Sequence, residues 1–90
     1  MNKYIVEFLG TMFLVFVIFA TGNWFAIGAA LAIAVLLGGP ISGGSFNPAV
    51  TISLYSAGKL AKDDVLPYII VEILGGLAAF FMYDRYVNKA

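Results

Sequence analysis

Ninety residues leave room for one small domain, and a soluble domain of that size buries only a marginal core. The composition excludes such a domain: 62% of the residues are hydrophobic and 11% are charged, which is the balance of a membrane protein. Net charge is zero, and neither histidine nor cysteine occurs. Nucleic acid is therefore not implied as a partner, disulfides and thiol chemistry are absent, and the usual general base and soft-metal ligands are missing. No cofactor and no metal are expected.

The first apolar run, 4–22, holds one charged residue, Glu7, and is long enough for roughly 28 Å of helix. Nothing before it reads as a basic region with a cleavage site, so the run is expected to serve as targeting signal and mature helix together. Gly22-Asn23 is a turn signal, and Trp24 behind it suits the membrane–water interface. The second run, 24–41, has no charge at all. Its small residues Gly28 and Ala32 stand four apart, the spacing of close helix packing in lipid. Gly38, Gly39 and Pro40 are expected to end it.

The stretch Ser42-Gly43-Gly44-Ser45-Phe46-Asn47-Pro48-Ala49-Val50-Thr51 then interrupts the apolar sequence with a polar, glycine-rich loop. Irregular backbone at membrane depth survives only where protein encloses it or where it lines a watery cavity. Asn47 is a good N-cap and Pro48 fits the first helical position. The helix they begin reaches only a stop at Ala57-Gly58, about 16 Å, roughly half a hydrocarbon core. A re-entrant loop and half-helix over 42–57 is the reading. Residues 59–64 form a charged link, Pro67 suits the first turn of a third span over 65–83, and Glu72 is that span's one charge. Gly75, Gly76 and Ala79 offer a second close-contact face, and 84–90 is a polar tail. The fold expected is all-α and integral to the membrane, a single unit over 1–90 with three transmembrane helices, one re-entrant half-helix, and termini on opposite sides.

Three segments in this order carry a family likeness. Glu7-Phe8-Leu9-Gly10-Thr11, the loop from Ser42 to Thr51 with its Asn47-Pro48-Ala49, and Tyr68-Ile69-Ile70-Val71-Glu72-Ile73-Leu74-Gly75-Gly76 resemble the aquaporin family, and specifically the first half of a member. Members have two such halves, inverted relative to each other, each giving one Asn-Pro-Ala loop to a shared pore. The likeness therefore implies a complete pore built from two inverted copies, an antiparallel homodimer, and four such dimers, eight chains, in the family's tetrameric arrangement. Inverted repeats about a midplane site are a general membrane device. The charges allow insertion in both orientations: Lys3, Lys59 and Lys62 on one side face Arg85 and Lys89 on the other, a weak bias. A bacterial-type inner membrane is the expected location.

The function implied is passive passage of water or small neutral, glycerol-like solutes, with the bilayer and a second copy as partners. If the Asn47 side-chain oxygen caps the half-helix, its NH₂ remains as a fixed donor in the pore. Two such amides, with two helix ends each worth about +0.5 charge, would turn water hydrogens outward and oppose cations. Gly43, Gly44, Phe46, Pro48 and Ala49 build that constriction in the likeness. Val50 departs from it, because the residue at that place in the second half of a member is normally arginine. Ile27 falls near the filter position of the second span, and the constriction expected is wider and less polar. Glu7 takes the family's role of bracing loop N–H groups. Glu72 stands where the family commonly has glutamine, and reads either as a second brace or as a protonatable, cation-attracting group. Two other functions compete: a dual-topology, proton-coupled exporter, which would also use a first-span glutamate but has no re-entrant loop, and a non-conducting assembly protein. No nucleophile–base pair suggests an enzyme.

Overall fold

A computed structural model describes residues 1–88, so Lys89 of the charge comparison lies outside it. Four helices follow in order: α1 (Lys3–Thr21), α2 (Trp24–Ser42), α3 (Pro48–Ser56) and α4 (Lys62–Tyr86). Three of them, α1, α2 and α4, are long and apolar enough to cross a membrane, each with mean hydropathy 2.1. The molecule is 44 Å along its longest axis, matching a bilayer of about 40–45 Å with its headgroups.

Local chemistry sets the ends of these helices. Asn2 caps α1 by accepting from the Tyr4 and Ile5 N–H groups. Gly22 stops it in the left-handed region at φ 55°, and Asn23 at once caps α2 through the Ala26 N–H at 2.9 Å. Two residues thus join the first helix pair. At the other end of α2 the expectation fails: the helix continues through Gly38-Gly39-Pro40 to Ser42. Pro40 removes one N–H from the ladder, yet the residue that turns the chain left-handed is Gly43, at φ 89°, with its N–H on the Gly39 carbonyl. The start of α4 also differs. The supposed charged link folds into its first turn from Lys62, placing Pro67 in the second turn. Asp63 and Asp64 favour this start, since acidic side chains complement the positive end of a helix.

Packing follows small residues, but not all of those expected. In α1 and α4 the seam is built on Gly75: a Cβ there would lie 2.5 Å from the Phe8 carbonyl oxygen and 3.2 Å from the Met12 nitrogen. Ala79 continues it, fully buried. Asp64, Tyr68, Glu72, Gly75 and Ala79 form one buried stripe with helical spacing. On α2 the stripe is Ala30, Ala34, Gly38 and Ser42. Gly28 and Ala32 fall half a turn away and lie outside it, and a Cβ on Gly28 would meet nothing within 4 Å. Two residues of offset rotate a position by about 200°, so spacing alone favours the wrong pair.

The helices form an open arc. Among the described residues α1 packs on both α2 and α4, α3 packs on α4, and α2 stands apart from α3 and α4 except at its end, where the Tyr68 hydroxyl reaches the Ser42 carbonyl. The common end of α1 and α4 is pinned by Asp64, which takes the Lys3 ammonium at 2.8 Å and the Tyr4 hydroxyl at 2.6 Å. With α1 and α4 parallel and α2 antiparallel, the loop and α3 fill the gap left where α2 stops.

Candidate functional site

Residues 43–47 follow a path that ordinary residues avoid. Gly43, Gly44 and Phe46 all have positive φ, at 89°, 69° and 56°. Glycine takes such angles freely; for Phe46 they cost about 1–2 kcal/mol. The cost is offset locally. The Phe46 ring enters a slot between α1 and α2 that exists because Gly10 and Gly38 have no side chains: a Cβ on Gly38 would lie 3.0 Å from Cζ, and one on Gly10 would collide with the ring. Only 3% of Phe46 is exposed, worth about 1.5–3 kcal/mol. Its N–H donates to Glu7 at 2.7 Å, a charge-assisted bond worth about 1.5–3 kcal/mol more. Burial and hydrogen bonding outweigh the strain. Phe46 is thus a buried anchor of the loop.

Glu7 holds the loop from the α1 side. It has no exposed surface, and its two oxygens accept three donors: Oε1 the Phe46 N–H, Oε2 the Ser42 hydroxyl at 2.7 Å and the Ser45 N–H at 3.1 Å. Three donors to one carboxylate make burial of the charge tolerable. From the α4 side, the Tyr68 hydroxyl donates to the Ser42 carbonyl at 2.7 Å. Glu72 Oε2 contacts Thr51 Oγ1 at 2.7 Å, Thr51 Oγ1 contacts Ser45 Oγ at 2.5 Å, and Ser45 Oγ reaches the Asn47 carbonyl at 3.2 Å. Among the described residues two buried side-chain oxygens have no hydrogen-bond partner, Glu72 Oε1 and Thr11 Oγ1.

This bracing presents Asn47. Its Oδ1 caps α3 by accepting the Ala49 N–H at 2.7 Å, with Pro48 in the first turn. The amide NH₂ is then free to donate outward. Asn47, Ala49 and Val50 are exposed, and Pro48 is half-buried. Glu72 is ten residues into α4, about 15 Å, and Pro48 is three residues back from Thr51, about 4–5 Å further. The tip of α3 therefore lies about halfway along α4, whose 25 residues make about 37 Å. Ile27 is not brought to this place. It is half-buried and near the start of α2, about 22 Å along that helix from Ser42.

Ser42, Ser45, Thr51 and Tyr68 carry much of the site, and the sequence reading assigns none of them an individual role. A signal for them is present: a Tyr68–Glu72 pair spaced i, i+4 on the stripe that also holds Gly75 and Ala79, and hydroxyls inside an otherwise apolar chain.

Three apolar helices around a braced polar loop define a helical integral membrane protein. The sequence model of the family described as Major intrinsic protein matches residues 22–89. A glycerol uptake facilitator protein-like 6 from Lactiplantibacillus plantarum is 42% identical, covering 98% of this chain and 45% of the relative. An aquaporin Z from Photorhabdus laumondii is 39% identical over 92% of this chain and 43% of its own. An aquaporin AqpM from Methanothermobacter thermautotrophicus is 36% identical over 91% and 46%. The chain belongs to the major intrinsic protein family. It spans less than half the length of these curated relatives, and no solved structure gives a significant match.

Proposed function

We propose that this chain forms a passive channel for water and small neutral solutes, with the pore completed by a second, inverted copy. The observation that carries the reading is the exposed Asn47 amide, capped on one side and free on the other, at a helix N-terminus halfway along the spans. One copy leaves that tip with an open flank, because among the described residues α4 is the one helix on which α3 packs. A donor and a positive helix end cannot face lipid without cost. An antiparallel twin supplies the missing wall and a second amide, so that water between the two donors directs its hydrogens away from the centre. Four such dimers, eight chains, follow from the family's arrangement. Loop 42–57 is then re-entrant, and the chain inserts both ways in a bacterial-type inner membrane. Val50, apolar and exposed, lines the pore and leaves it wide enough to admit glycerol-like solutes. The names of the relatives, aquaporins and a glycerol uptake facilitator, support the substrate class. The enclosed carboxylate of Glu7, with both oxygens occupied, counts against the proton-coupled exporter.

The test is osmotic shrinkage of proteoliposomes. Wild type is expected to shrink faster than empty vesicles, and Asn47→Asp more slowly than wild type at equal protein density. Since the chain has no cysteine, Ala49→Cys alone reports the pairing: oxidation yields a covalent dimer with mixed orientation. Rates equal to empty liposomes, or a uniform orientation of all chains, would refute the reading.

A further inference from the structure

The hydrogen bonds between α4 and the Asn47 turn are one hydrogen short. Three oxygen–oxygen contacts run in series, Glu72 Oε2 to Thr51 Oγ1, Thr51 Oγ1 to Ser45 Oγ, and Ser45 Oγ to the Asn47 carbonyl. Two hydroxyls supply two hydrogens, and the carbonyl supplies none. If Glu72 is ionised, both ends of the series are pure acceptors and one contact has no hydrogen in it. If Glu72 carries a proton on Oε2, every contact is filled, each donor pointing the same way.

The other oxygen of Glu72 agrees. Oε1 is buried with no partner among the described residues, costly for a carboxylate oxygen and far cheaper for the carbonyl of a neutral acid. No cation compensates a charge there: the one ion pair among the described residues is Lys3–Asp64, two turns away along α4. From α1 the acid that braces the same loop is Glu7, whose two oxygens already accept three donors and which, as a carboxylate, has no hydrogen to give Glu72. From α3 Glu72 meets Thr51, and on its own helix Tyr68 points to the Ser42 carbonyl instead.

We propose that Glu72 is a neutral carboxylic acid heading a directed relay, Glu72 Oε2–H to Thr51 to Ser45 to the Asn47 carbonyl, that positions the Asn47 tip. It is a positioning residue, and its role for conduction rests on the channel reading above. Loss of its proton removes one hydrogen from the series and breaks the link that runs from α4 through Thr51 to the Asn47 turn. Conduction then declines as pH rises through ionisation of Glu72. In Glu72→Gln the new side-chain amide can still donate to Thr51, so the relay is kept without a titrating group.

The test uses the full chain in liposomes, with two readouts. Infrared difference spectra of wild type against Glu72→Gln at neutral pH are expected to show one undissociated-acid carbonyl stretch, absent in the variant. In Thr51→Val the band persists at higher wavenumber, because the acid loses its acceptor. Shrinkage rates are expected to fall with alkalinity in wild type and to stay level in Glu72→Gln. Absence of the acid band in wild type overturns the proposal whatever the vesicles do. A band with identical pH profiles in the two proteins overturns the positioning role. No permeability in either protein refutes the channel reading, and the band still decides the state of Glu72.

Discussion

Replacing Glu7 with glutamine tests the bracing of the loop at its most concentrated point. The carboxylate receives the Phe46 N–H on one oxygen, and the Ser45 N–H with the Ser42 hydroxyl on the other. A carboxamide puts one oxygen and one NH₂ in the same space, so in either orientation one backbone N–H faces another donor. The loss is one charge-assisted bond, about 1.5–3 kcal/mol, and a buried donor left unsatisfied, about 1–3 kcal/mol. A sum of about 3 kcal/mol or more corresponds to roughly a hundredfold or greater change in the opening equilibrium. Amide hydrogen exchange in micelles reads this directly, since local opening sets the protection. In Glu7→Gln, protection at Ser45 and Phe46 is expected to drop by that factor, while the α1–α4 seam around Gly75 keeps its own. Unchanged protection at those two amides would refute the assignment of Glu7 as the brace.

Further outcomes concern packing and the second brace. Gly75→Ala places a methyl 2.5 Å from a backbone oxygen that cannot rotate away, so the helices must part, with a destabilisation of about 1–3 kcal/mol. Gly28→Ala, with nothing within 4 Å, is expected to be neutral or stabilising by up to about 1 kcal/mol; melting curves of the pair check both. Tyr68→Phe removes the donor to the Ser42 carbonyl, and a loss of about 1 kcal/mol is expected in the same assay, with its ring still against Tyr4.

Much of this molecule is written in features that need no tertiary knowledge. The apolar runs, the two-residue turn at Gly22-Asn23, and the cap at Asn47 with Pro48 behind it depend on neighbours a few positions away, and each is legible for that reason. Where sequence and structure part, the deciding contact is distant along the chain. Gly38, Gly39 and Pro40 look like a stop, but the helix persists because Gly38 is needed in the slot for Phe46 and Gly43 is free to turn left-handed. The acidic pair before Pro67 looks like solvated linker, but Asp64 is held by Lys3 and Tyr4 some sixty positions earlier. Gly28 and Ala32 have the right spacing on the wrong side of the helix, and only the partner's location tells the sides apart. Phe46 has a positive φ and a ring seated against Gly10 and Gly38, and neither leaves a mark in the sequence.

The turn between α1 and α2 has a bearing on how the chain enters a bilayer. From residue 8 to residue 58 there is no Asp, Glu, Lys or Arg, and the turn holds only Gly22 and Asn23. Moving one elementary charge across a membrane potential involves about 2.3 kcal/mol per 100 mV; this hairpin moves none. Its tip can be threaded from either face of an energised membrane with the same electrical work, which is zero, and only the charges outside residues 8–58, at both ends of the spans, are left to register the field.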